Sequence, residues 1–138
     1  MDGLSFESAD VTNLPFKDKS IHSLSCMHVV EHVGLGRYGD PLDYDGDLKA
    51  ISELQRVLAE GGNLLFVVPI SGKQRIEFNA HRVFSYQQII DGFKELRLQE
   101  FALIPDNHNT GDLLINASRK IADLQQCGCG CFWFVRDK

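Results

Sequence analysis

The sequence predicts an α/β domain: a partial, Rossmann-like mixed sheet that ends in an antiparallel pair of strands. Three observations lead there. Ile21–Pro69 reads as strand, short polar turn, acidic loop, amphipathic helix, Gly-Gly stop and second strand. Along the whole chain the order is strand, helix, strand, helix, strand, strand, which puts the last two strands antiparallel. Finally, 138 residues with 43% apolar composition supply one core, and no repeat, low-complexity tract or linker marks a second domain.

Leu4–Val11 is expected to be a short strand. Asn13-Leu-Pro-Phe16 follows as a turn, because Pro15 has no amide hydrogen and holds Leu14 extended. A strand then runs from Ser20 or Ile21 to Met27. Its apolar residues do not alternate cleanly, which suits a strand covered on both faces. Gly34–Asp47 is a loop rich in Gly, Asp and Pro. Asp47 is the expected N-cap of a helix over Leu48–Leu58, where Leu48, Ile51, Leu54, Val57 and Leu58 share one face. Gly61-Gly62 is the expected helix stop, and Asn63–Pro69 a buried strand.

Ser71–Ala80 reads as a polar loop. Ser85-Tyr-Gln-Gln88 has the spacing of a capping box and opens a helix over Tyr86 to Phe93 or Lys94. Arg97–Ile104 reads as a strand, Pro105–Gly111 as a polar turn, and Leu113–Asn116 as a further short strand. Lys120–Val135 ends in a strand containing CFWFV.

Charge and cysteines narrow the function classes. Residues 1–60 carry eleven acids against five bases, whereas residues 61–138 carry eight against nine. An acidic chain without a Lys/Arg stripe lacks the footprint of a nucleic-acid binder. No apolar run approaches the roughly 20 residues that span a bilayer, and the first residues do not read as a signal peptide. Cys26 is isolated, and Cys127, Cys129 and Cys131 crowd one strand, so a reducing cytoplasm is expected rather than a disulfide framework. C-x-C-x-C also lacks the usual spacing of a structural zinc site. Those three thiols, on one strand face with Trp133 and Val135, read as buried small residues. Asp40, Asp43, Asp45 and Asp47 invite a calcium reading. However, Leu48 and Leu54 stand where such a loop needs Gly and Glu, so no metal is expected.

Several words resemble the class I S-adenosylmethionine (SAM)-dependent methyltransferases. Asp10-Val-Thr-Asn-Leu-Pro-Phe16 is similar to the turn after that family's third strand. Ile21–Val33 resembles its fourth strand and the turn that follows. Glu53-Leu-Gln-Arg-Val-Leu-Ala-Glu-Gly-Gly62 resembles the helix E-x-x-R-V-L-x-P-G-G, with Glu60 in place of Pro. His81–Ser85 looks like the loop before the next helix. The longer words GLGRYGDPLDYDGDLKA and FNAHR are similar to a methyltransferase-related family of bacterial and nematode proteins of unknown function.

The resemblance covers the C-terminal half of the methyltransferase fold. It implies that Asp10, Val11 and Met27 border the cofactor SAM. His28, Glu31 and His32 would lie beside the methyl acceptor, a small-molecule oxygen or nitrogen, as catalytic groups that bind it or assist its deprotonation. Arg37, Tyr38, Asn79, His81 and Arg82 would line the substrate side, with Asn79, His81 and Arg82 gripping an anionic acceptor. Only ten residues precede Val11, so the Gly-rich cofactor turn of the family is absent from this stretch. The expectation is a methyltransferase-like protein without independent activity. The fourth strand would then keep an open edge for a homodimer or partner subunit.

Each reading has a plainer counterpart in the same residues. Glu31 and His32 suit the start of a short helix, Asp10 suits a side-chain turn, and Asn79–Arg82 suits an ordered loop. A non-catalytic assembly module is the competing function.

Overall fold

The computed structural model describes residues 3–106 and 112–138. Its elements in chain order are β1 (Ile21–Met27), a 3-10 turn (Val30–His32), α1 (Gly46–Val57), β2 (Leu58–Ile70), β3 (Arg75–Ile76), β4 (Arg82–Val83), α2 (Tyr86–Gly92), β5 (Arg97–Ile104), β6 (Leu114–Ile115), α3 (Arg119–Asp123) and β7 (Gly128–Val135). Five strands form a mixed sheet in the order β1-β2-β7-β5-β6, and β3 and β4 form a separate two-stranded sheet. β1 and β2 are parallel, and β7 inserts antiparallel between β2 and β5. The expected α/β class and the antiparallel strand pair at the C-terminal end are both present.

Alternation along β2 and β7 divides the sheet into two unlike faces. Leu64, Phe66 and Val68 of β2, with Phe132 and Phe134 of β7, enter a single core. There they meet Ala50, Ile51 and Leu54 of α1, and Ile89 and Phe93 at α2. Aromatic edges lock these layers, with Phe66 4.8 Å and Phe134 4.7 Å from Phe93 by ring centroid. The opposite face carries Met27, Leu65, Val67, Cys129, Cys131 and Trp133. No helix among the described residues covers it, and Met27 and Leu65 stay 51% and 44% exposed.

Several expectations change. Residues 4–9 form no strand, and Asp10 instead bridges to Asn13 in a turn. β1 is not covered on both faces, because it is an edge strand among the described residues and only Cys26 in it is buried. The N-cap of α1 is Asp45, while Asp47 lies inside the first turn and is buried. Gly61-Gly62 does not stop α1, whose chain becomes extended already at Leu58. Gly61, at φ 73°, instead lies in the irregular stretch where the β1–β2 register jumps from Ile21↔Leu58 to Ser23↔Asn63.

The cysteines of the C-terminal run are not buried thiols. Cys127 is exposed, and Cys129 and Cys131 are half-buried on the uncovered face. The β3–β4 hairpin replaces part of the expected 71–80 loop, and α3 was not foreseen. The polar turn at 105–111 lies largely outside the described residues.

Two arginines, Arg56 half-buried and Arg82 buried, position everything that follows. Arg56 on α1 binds both carboxylate oxygens of Glu53, at 2.7 and 2.8 Å, and donates to the carbonyls of Leu14 and Phe16. Glu53 in turn accepts the Leu14 amide at 2.7 Å. Together they strap residues 14–18 onto α1 and lead the chain into β1. Arg82 of β4 is 5% exposed and donates to the Val33 carbonyl (3.1 Å) and the Asp43 carbonyl (3.2 Å), with Asp47 Oδ1 at 3.6 Å. Burial pushes the Asp47 carboxyl up, and the Arg82 guanidinium holds it partly down.

Two stability predictions follow from these straps. Arg56 holds the Glu53 carboxyl below its usual range. Its contribution is therefore full above the unfolded glutamate value, about 4.3, and is lost as pH falls through the lower folded value. Glu53→Gln should cost about 1–2 kcal/mol at pH 7, and the gap to wild type should shrink below pH ~4 in urea titrations; a pH-independent gap would contradict this. Arg82→Met should cost about 3 kcal/mol by the same method, because it strands Asp47 and two carbonyls. A cost under about 0.5 kcal/mol would show that Arg82 anchors nothing.

Candidate functional site

Parallel strands β1 and β2 point the same way, with Met27 opposite Val67, and the loops beyond their carboxyl ends gather the polar side chains. The His28 amide donates to the Val67 carbonyl at 2.9 Å, continuing the ladder one residue past β1. The backbone of His28 then turns through φ 55°, a left-handed conformation that a residue with a Cβ adopts only under constraint. That turn returns the imidazole over the sheet end. The 3-10 turn then points Glu31 inward, where it is 1% exposed.

Glu31 is the hub. Its Oε1 lies 3.0 Å from His28 Nδ1 and 3.9 Å from His32 Nε2. Its Oε2 and the Nδ1 of His32 are buried and have no hydrogen-bond partner among the described residues. A buried carboxylate oxygen without a donor is costly, so it marks a place where a donor group belongs. Around His32 stand Tyr38 and His81, with ring centroids at 5.6 and 6.0 Å. Arg37 lies over the Tyr38 ring at 5.4 Å and donates to the Ala80 carbonyl. His28 Nε2 is 3.7 Å from Cys129 Sγ across the uncovered face.

The structure thus brings together His28, Glu31, His32, Arg37, Tyr38 and His81, with Met27 next to His28 at the open edge. Asn79 is exposed at the tip of the β3–β4 hairpin with φ 52°, a conformation that asparagine tolerates. The guanidinium of Arg82 is engaged with backbone and Asp47, as described above. Asp10 is exposed and accepts from the amide and hydroxyl of its neighbour Thr12, at 2.9 and 2.7 Å. Val11 is half-buried against the core.

The acidic loop binds itself. Asp40 accepts the Gly34 amide (2.9 Å), and Asp43 pairs with Lys49 (2.6 Å), whose ammonium holds the Asp43 carboxyl below its usual range. No group of three His, Cys, Asp or Glu among the described residues is arranged to hold a metal ion. A cavity of about 490 Å³ opens beyond Arg82, between Tyr44, Asp47, Arg75, Phe84 and Gln88, and His28 and Glu31 do not line it.

Two features escaped the sequence reading. Cys129 belongs to the His28 cluster across 101 residues of sequence, and only the sheet order reveals that. Gly34, Gly36 and Gly39 have G-x-G-x-x-G spacing and positive φ. The 3-10 turn separates them from β1, and α1 begins only at Gly46. The strand–turn–helix context of a phosphate cradle is therefore missing.

Comparison with known proteins agrees with this fold. A Thermotoga maritima SAM-dependent methyltransferase is 16% identical with TM-score 0.59, over 94% of this chain and 62% of that one. A chain from the Haloferax volcanii complex of the Trm112 methyltransferase activator with its methyltransferase-type partner is 19% identical, TM-score 0.62, over 100% of this chain and 63% of that one. The 4+2 cyclase SpnF matches at 14% identity and TM-score 0.61, over 96% of this chain and 56% of that one. The fold is thus the Rossmann-like fold of SAM-dependent methyltransferases, and at these identities the likeness is one of fold alone.

The chain spans about three fifths of these neighbours' length. An uncharacterized protein of Methanocaldococcus jannaschii is 34% identical over 94 residues, which are 62% of this chain and 36% of that protein. No helix among the described residues is long and apolar enough to cross a membrane. Residues 12–99 match the family described as Caenorhabditis protein of unknown function, DUF268, and the chain belongs to that family.

Proposed function

We propose that this methyltransferase-like domain forms the acceptor side of a SAM-dependent site for a small-molecule oxygen or nitrogen nucleophile. The observation that carries the reading is Glu31: a buried carboxylate at the carboxyl end of β1, bonded to His28 and with its second oxygen unpartnered. Ligands of open α/β sheets lie beyond the carboxyl ends of the strands. In this reading Met27, Val11 and Asp10 are the residues that would border bound SAM. Bound SAM supplies an electrophilic methyl group.

This chain's own part is proton handling and orientation. Glu31 accepts the N–H of His28 Nδ1, which fixes the tautomer and leaves Nε2 to take the acceptor's proton. Tyr38, His81 and Arg37 close the opposite side of His32. In-line placement governs such a displacement, and in this reading the domain forms its acceptor side. The domain therefore needs a complementary cofactor-binding portion for turnover.

A second reading shares the open edge of β1. Its outer backbone groups have no strand partner among the described residues, and Met27 and Leu65 extend an apolar surface from it. A homodimer or partner subunit would cover both. A neighbour of the same fold is found in a complex with a methyltransferase activator.

Two measurements test these readings. Small amines and phenols should shift the imidazole NMR resonances of His28 and His32 in wild type and not in Glu31→Gln, whereas 1 mM S-adenosylhomocysteine should give no saturable thermal stabilisation of the chain alone. Unmoved histidine resonances would overturn the acceptor-side reading, and saturable stabilisation with methyl transfer would overturn the need for a complement. In sedimentation velocity at tens of micromolar, the protein should be dimeric and Met27→Lys should weaken the dimer at least tenfold; a monodisperse wild-type monomer would count against the edge.

A further inference from the structure

Methyl transfer leaves unexplained the thiols that the sheet presents beside His28. β7 alternates, so Gly128, Gly130, Phe132 and Phe134 enter the core while Cys129 and Cys131 face the uncovered side. Residues two apart on a strand stand about 6.6 Å apart and point the same way, so the two thiols stand side by side on that face. His28 reaches them from the end of β1, with Nε2 3.7 Å from Cys129 Sγ and Nδ1 on Glu31 at 3.0 Å. Thiol pair, imidazole and buried carboxylate form one connected chain.

The surroundings favour reaction at this place. Both cysteines are half-exposed, whereas Cys26 is buried in the core and its thiol is pushed up to about 11 by burial, with the Glu31 charge adding to it. The flanking strands offer Val67 and Pro69 on one side and Ala102 and Ile104 on the other, none of which titrates. The ionisable groups that face the pair are His28 and Glu31 from the end of β1, and Cys127 from the approach to β7.

We propose that Cys131 and Cys129, with His28 and Glu31, form a reactive dithiol that exchanges with low-molecular-weight disulfides. The Cys131 thiolate attacks one sulfur of the disulfide, forming a mixed disulfide and expelling one small thiolate. His28 Nε2 then takes the Cys129 proton. The Cys129 thiolate attacks the Cys131 sulfur, closing a Cys129–Cys131 bond and expelling the second thiolate, which is protonated by the imidazolium. One small disulfide is reduced to two thiols, and the protein dithiol is oxidised by the same two electrons. Two strand residues that point the same way keep their Cβ atoms about 6.6 Å apart, beyond the roughly 4 Å of a relaxed disulfide, so β7 must bend locally to close the bond, which is therefore of the labile, reversible kind.

Sharing a proton with Cys129 brings the Cys131 thiol down to about 7, with His28 assisting, and pushes the Cys129 thiol up. A thiol that titrates near ambient pH is the best placed attacker. The exchange needs no cofactor and does not rest on the methyl-transfer reading, so either can fail alone.

The test uses the reduced 138-residue chain with oxidised glutathione, followed by intact-mass and peptide mass spectrometry. Wild type should lose two hydrogens with only transient adduct. Cys129→Ser should accumulate one glutathione adduct on Cys131, Cys131→Ser should react at least tenfold more slowly, and Cys127→Ser should behave as wild type. Adducts spread evenly over the three C-terminal cysteines, or an unslowed Cys131→Ser, would overturn the proposal. Without any substitution, iodoacetamide labelling of wild type should show Cys131 alkylation rising with a midpoint near pH 7. Joint titration of all three as ordinary thiols near 8.5 would overturn it too.

Discussion

The candidate site depends on one buried guanidinium. Arg82 is withdrawn from water, so its donors need partners inside the fold. It finds them on three separate stretches: the Val33 carbonyl after the 3-10 turn, the Asp43 carbonyl in the acidic loop, and Asp47 in the first turn of α1. Those contacts tie the β3–β4 hairpin to the loop that leaves β1. Gly34 shows how close the fit is: a Cβ there would lie 2.1 Å from the Asp43 carbonyl oxygen, and its φ of 78° already disfavours a side chain. With the loop drawn in, Val30 and Glu31 are driven into the interior and His28 is left at the sheet end. The histidine cluster is thus a consequence of where the loop is anchored.

The two faces of the sheet explain why fold and activity separate here. One face has its helices and its aromatic core, which suffice to specify strand order and register. The other exposes Met27, Leu65, Trp133 and two thiols, and β1 beside it lacks an outer partner among the described residues. A parallel α/β sheet normally has both faces covered. Neighbours of this fold include a methyltransferase and a cyclase, so the fold by itself names no reaction.

Much of this was legible before any coordinates, for identifiable reasons. The LLFVV run, the Ser85 capping box and the Arg97–Ile104 alternation are local signals, and each became its element, although β2 begins five residues before the expected Asn63. His28, Glu31 and His32 lie within five residues of one another, so their juxtaposition could be read directly. The E-x-x-R word gained a physical meaning as the strap from Arg56 to residues 14–18. Long-range partnership was not legible. Asp47 looked like a cap because its buried counter-charge, Arg82, lies 35 positions away. β1 looked sandwiched because an edge position is a property of the whole sheet. Two-residue strands β3 and β4 are too short to show any period. The cysteines shared a face as alternation requires, but which face was set by Phe132 and Phe134 entering the core.

Hydrogen–deuterium exchange on wild type and Arg82→Met tests the central claim most directly. The Gly34 amide is bonded to Asp40, and the Asp43 amide to the Gly34 carbonyl, at 2.9 Å each. If Arg82 assembles the site, these amides and those of the Val30–His32 turn lose protection in the variant under native conditions, while the β2–β7 ladder keeps its own. Unchanged protection over residues 30–43, or an equal loss throughout the sheet, would contradict that account.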